Sequence, residues 1–123
     1  MIDIRGLITN GANGRYPMGD VVGIAIHHSV SGGLFYDTRP DTEEDEIAHL
    51  LAIDRYHNTA PRLWGGFGYH LAAFPSGRWY LCGDLGGARA HVANRNHELI
   101  GLVLIGDFTD SPPPLMSLAA ACE

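Results

Sequence analysis

A chain of 123 residues is long enough for one domain with one core and too short for two. Its 46% hydrophobic and 18% charged residues are globular proportions, which exclude a disordered or collagen-like chain. Fourteen acids against eight bases give a net charge of −6, the wrong sign for a general binder of nucleic acid or anionic membrane, and because every base is Arg, Schiff-base and Walker-type lysine chemistry is excluded too.

Residues 1–20 carry Gly6, Gly11, Gly14, Pro17 and Gly19 and read as an irregular arm with turns, leaving 21–123 as the domain proper. Asp3 and Arg5 interrupt the first apolar stretch, so the N-terminus is not a secretory signal. Val21-Val22-Gly23-Ile24-Ala25-Ile26 is a continuous apolar run of the kind that suits a strand covered on both faces, at the centre of an α/β sheet. A Gly/Ser/Pro loop is expected over 29–40. The acids from Asp41 to Glu46 then favour the positive end of a helix dipole, and Ile47, Leu50 and Leu51 follow at helical spacing with Ile53 beside them. This predicts a helix over about 42–57, interrupted on its apolar stripe by Asp54 and ended by Asn58 and Pro61. Tyr69 to Phe74, the turn Pro75-Ser76-Gly77 and Arg78 to Cys82 read as a β-hairpin. Residues 83–98 read as a Gly-rich loop region, and Leu99 to Ile105 as a second buried strand, far short of the ~20 residues of a membrane span. After Ser111 as N-cap, Leu115, Leu118, Ala119 and Cys122 fall at i, i+3, i+4 and i+7, the stripe of a core-facing helix that breaks off at Glu123. Cys82 and Cys122 are too few for a disulfide framework and read as buried thiols.

Seven His in so short a chain suggest metal or acid–base chemistry. His27 and His28 close the first apolar strand at its carboxyl end, where ligand sites of open α/β sheets gather. Neighbours on a strand point to opposite faces, so one imidazole faces a site while the other packs elsewhere. By itself a His pair suits a metal ligand or a packing role. Tyr69, His70, His91 and His97 converge on the same end if the sheet is built this way. A Tyr there can donate a hydrogen bond to a developing oxyanion.

The string Ile24-Ala25-Ile26-His27-His28-Ser29-Val30, then Arg55-Tyr56-His57, Gly68-Tyr69-His70, Ser76-Gly77-Arg78-Trp79-Tyr80, His91-Val92-Ala93-Asn94-Arg95-Asn96, Ile100-Gly101 and Ile105-Gly106-Asp107-Phe108 resembles the type 2 N-acetylmuramoyl-L-alanine amidases. That family includes phage amidase lysozymes and peptidoglycan recognition proteins. The likeness runs from Val21 to Pro114, about three quarters of the chain, and rests on the order and spacing of the motifs.

The resemblance implies a mixed β-sheet flanked by helices, with a groove that binds a muramyl peptide of peptidoglycan. It implies zinc, held in the family by two His and one Cys, activating water to cleave the amide between the lactyl group of N-acetylmuramic acid and L-alanine. His27 matches the first zinc ligand and Tyr69 the catalytic Tyr. Among the substrate-side residues, His28 matches the second His of the motif, which is not a ligand, His91 a groove-lining His, and Asn96 a turn residue whose side chain caps the loop. A variant that places a Glu on the strand of 99–106 is excluded by Leu102-Val103-Leu104-Ile105. The family's other His and its Cys follow the last helix and have no counterpart in these residues, and Cys122 lies in the wrong element. Cys82-Gly83-Asp84 stands where the family has a Gly-Arg pair.

Two readings follow: an amidase domain lacking its C-terminal segment and nearly inactive as a 123-residue chain, or a peptidoglycan-binding module without hydrolysis. With no export signal in the sequence, a cell-wall substrate implies a released endolysin or part of a longer exported chain. A missing sheet strand would leave an apolar edge, through which the chain is expected to pair with a copy of itself.

Overall fold

The computed structural model describes residues 1–10, 16–30 and 42–122. Gly11, Gly14, Asp41 and the expected loop from residue 31 onward lie outside them, as does Glu123. Among the described residues no helix is long and apolar enough to cross a membrane.

The strands are β1 (Ile2–Asp3), β2 (Gly23–His28), β3 (Leu71–Ala73), β4 (Trp79–Leu81) and β5 (Leu99–Leu104); the helices are α1 (Glu43–Asn58) and α2 (Leu115–Cys122). The sheet order is β1-β4-β3-β5-β2. The β3–β4 hairpin is antiparallel, while β1 runs parallel to β4, and β5 runs parallel to both β3 and β2. The expected mixed α/β sheet flanked by helices is therefore borne out. The hairpin turn fits its residues: Gly77 sits at φ +87°, a conformation that favours glycine, and its N–H closes on Phe74 O.

Helix α1 starts where the sequence places it. Thr42 caps it, Oγ1 accepting the Asp45 N–H at 3.1 Å, and the first turn is Glu43-Glu44-Asp45-Glu46. Leu50 and Ile53 enter a core with Phe67, Ala72, Phe74, Tyr80, Cys82, Val103 and Ile105, while Ile47 and Leu51 pack at its margin. Two polar residues on this helix are buried for definite reasons. Asp54, which breaks the apolar stripe, accepts the N–H and Oγ1–H of Thr9. Glu46 is fully buried and accepts hydrogen bonds from Ser76 Oγ, Arg78 Nε and Tyr80 OH, tying α1 to the hairpin.

Three sequence expectations need correction. The irregular arm read over residues 1–20 includes a strand within residues 1–10: β1 extends the sheet, and Ile4 and Ile8 belong to the main core. The run 21–27 is not central. β5 lies inside the sheet, but β2 is an edge strand among the described residues, with Ile24 59% and Ile26 62% exposed. An apolar run states that burial is favourable but not which elements are at hand to provide it. The third concerns α2. Leu115 is 83% exposed and Leu118 and Cys122 are exposed, while Ser117 is buried instead. The helix turns Ser117 toward the sheet side, and the Met116 side chain lies over Gly77.

Candidate functional site

The alternation of β2 decides the fate of its two histidines. His27 pairs in register with Val103, and His28 with Leu104, which belong to different core clusters on opposite faces. His28 accordingly stacks on Phe108 and accepts the Phe108 N–H at its Nδ1 (2.9 Å). It stands 3.9 Å from Asp107. The structure does not bring His28 to the other predicted site residues.

His27, Tyr69 and His91 do come together. The His27 ring centroid is 5.3 Å from Tyr69 and 5.4 Å from His91, and its Nε2 is 3.3 Å from His91 Nδ1. Three separate stretches meet here: the end of β2, the residues leading into β3, and the loop before β5. His91 is held on several sides. Its ring lies against the bare Cα of Gly101, where a β-carbon would stand 2.7 Å from Cγ. Its Nε2 is 3.0 Å from Leu99 O. Asn96 Oδ1 accepts the backbone N–H of both His91 and Val92, so this side chain caps the loop and does not reach into the cluster. His70, fully buried beside His91, accepts the Gly101 N–H and bonds Gly87 O, fixing the same stretch of β5 from beneath.

Two further residues belong to the cluster and were absent from the predicted set. His57, in the last turn of α1, stands 5.7 Å from Tyr69 and 4.5 Å from Trp64 between ring centroids. Its Nδ1 accepts the N–H of Gly68, the residue before Tyr69, so it sets the backbone from which Tyr69 projects. Trp64 remains 37% exposed and forms an aromatic wall beside it. The signal for His57 was the Arg55-Tyr56-His57 string; nothing in the sequence marked Trp64.

Burial controls the electrostatics. It lowers the His27 and His91 pKa values below the ordinary imidazole range and carries His57 and His70 down to about 4. It raises that of Tyr69, so the phenol keeps its proton and can donate it in a hydrogen bond. The cluster at neutral pH is therefore a set of uncharged imidazoles around a phenolic donor.

Whether these residues fit a zinc ion can be judged from the donor set. A catalytic zinc takes three protein ligands. Among the described residues no three His, Cys, Asp or Glu side chains converge closely enough to hold a metal. Cys82 is fully buried with its thiol pKa pushed well up by desolvation, and Cys122 lies exposed on α2. His27 by itself does not meet the requirement.

No protein-family profile matches the chain. Among curated proteins, it is 30% identical over 98 residues to peptidoglycan-recognition protein LB of Drosophila melanogaster, an alignment covering 80% of this chain and 40% of that protein. The chain thus spans about two fifths of the length of this curated relative. Among solved structures, bumblebee PGRP-SA superposes with a TM-score of 0.80 at 24% identity, over 98% of this chain and 69% of that one. Peptidoglycan recognition protein LE, solved in complex with tracheal cytotoxin, a monomeric diaminopimelic acid-type peptidoglycan, gives a TM-score of 0.83 at 17% identity, over 99% and 69%. The resemblance carried by the motifs is borne out.

Proposed function

For a chain that has the fold of the peptidoglycan recognition proteins, we propose a domain of the N-acetylmuramoyl-L-alanine amidase type that takes a muramyl peptide of peptidoglycan at the His27–Tyr69–His91 cluster. The observation that carries this reading is the meeting of those three side chains, from three separate stretches, with the exposed Trp64 ring as a wall beside them. The Tyr69 hydroxyl is the donor suited to the carbonyl oxygen between the lactyl group and L-alanine, where charge grows when that amide is attacked. Aromatic faces offer apolar area to the sugar and lactyl carbons. Neutral His27 and His91 carry no charge that a ligand would have to neutralise.

In this reading His27 would be one of the three ligands of a zinc ion in an intact domain, and such an ion would activate the water that attacks the amide. The 123 residues contribute one ligand of the three, so the chain itself binds peptidoglycan without turning it over. Self-association belongs to the same proposal. β2 has a strand neighbour on one side among the described residues, and Val22, Ile24 and Ile26 are each about 60% exposed. A second copy paired antiparallel along that edge would satisfy backbone groups and cover these side chains together, giving a two-fold dimer.

The test is sedimentation with purified cell-wall sacculi, with and without Tyr69→Phe, alongside amine release in the presence of zinc. Binding by the wild type, weakened in Y69F and without amine release, supports the proposal. A folded chain that stays in the supernatant overturns the binding role, and robust amine release overturns the account of the ligands.

A further inference from the structure

The contacts around His91 determine where the protons of two rings lie. Leu99 O can only accept, so the 3.0 Å contact to it requires a proton on His91 Nε2. A neutral imidazole has one N–H, which leaves His91 Nδ1 with its electron pair. That pair faces His27 Nε2 at 3.3 Å. Two electron pairs cannot face one another at that distance, so the proton between the rings belongs to His27 Nε2. His27 then has its own pair on Nδ1, and no hydrogen bond from the described residues occupies that atom.

We infer that His91 is a positioning residue that holds His27 in the Nε2–H tautomer, so that His27 meets its ligand with the Nδ1 electron pair and takes up a hydrogen-bond donor. The chain of bonds runs from His27 through His91 to the backbone of β5. It is rigid because His91 cannot turn: its ring rests on Gly101 and its backbone is tied to Asn96. Applied to the proposed function, on which this step rests, the donor is an amide N–H of the muramyl peptide.

The experiment is long-range proton–nitrogen correlation on histidine-labelled wild-type chain at pH 7.5, followed by titration with muramyl dipeptide. The expected spectrum has a pyrrole-type Nε2 and a pyridine-type Nδ1 for both His27 and His91. In His91→Gln the amide oxygen can accept from His27 and the amide nitrogen can donate to Leu99 O, so His27 keeps its tautomer. In His91→Phe the acceptor is gone, His27 becomes a mixture of tautomers, and muramyl dipeptide binds roughly tenfold more weakly, the loss of about one hydrogen bond. A wild-type His27 protonated on Nδ1, or a folded H91F with His27 unchanged, overturns the inference. If the tautomers are as stated but muramyl dipeptide moves no resonance, the relay stands and the proposed ligand falls.

Discussion

Replacing Gly101 with Ala should displace His91 and nothing else. Gly101 lies inside β5 and outside the left-handed region, so its backbone tolerates a side chain. The new β-carbon, however, would stand 2.7 Å from His91 Cγ, 2.8 Å from Cδ2 and 2.9 Å from Nδ1. Carbon atoms pack at about 3.5–4.0 Å, so the ring has to retreat by about an ångström. That shift breaks its bond to Leu99 O and its contact with His27. Overpacking of this kind costs about 1–3 kcal/mol, and the lost hydrogen bond about 1 kcal/mol more. With a urea m-value of about 1–3 kcal/mol per molar for a domain of this size, the unfolding midpoint should fall by about 1–2 M. The assay is a double-mutant cycle in urea with His91→Ala. In the absence of the imidazole the three atoms nearest to the new β-carbon are gone, so its cost should drop below about 0.5 kcal/mol, leaving a coupling of at least ~1.5 kcal/mol. Equal costs in the two backgrounds would refute the reasoning, since the clash would then lie elsewhere.

Three other outcomes are expected. His57 and His70 are buried with pKa values held near 4, below the ordinary 6.5, so the unfolded chain binds more protons between those values. Their stability contribution is complete above about pH 6.5 and is lost as pH falls toward 4, with a slope of up to about 1.4 kcal/mol per pH unit for each group; urea titrations at stepped pH should show this slope reduced in His70→Asn. Glu46→Ala removes the acceptor of the buried Tyr80 hydroxyl and of Ser76 and Arg78, and should lower the unfolding free energy by about 2–4 kcal/mol, with part recovered when Tyr80→Phe is added. Ile26→Lys places a charge on the exposed edge of β2 and should abolish association of the wild-type chain in light scattering across a concentration series; a wild type that stays monomeric throughout removes the basis for edge pairing.

Local physics alone settles much of this protein. Thr42 and the acids behind it specify the start of α1 because a cap and a dipole act within one turn. Pro75-Ser76-Gly77 specifies the hairpin because only glycine suits the turn's positive φ. Strand alternation sends His27 and His28 to opposite faces, and the family resemblance put His27, Tyr69 and His91 forward together as candidate site residues. The tertiary structure decided what depends on neighbours distant in sequence. From the sequence Glu46 is one of the acids of a first helical turn and Asp54 a break in an apolar stripe; both are buried because Ser76, Arg78, Tyr80 and Thr9 arrive to satisfy them. Ile24, Ile26 and Leu115 have the pattern of core residues, yet burial takes a second surface, and the fold sets none against them among the described residues. His57 joins the site through a backbone N–H eleven residues away, and the protons of His27 are ordered by a carbonyl on another strand. Such contacts follow from how elements pack, and no local pattern in the chain encodes them.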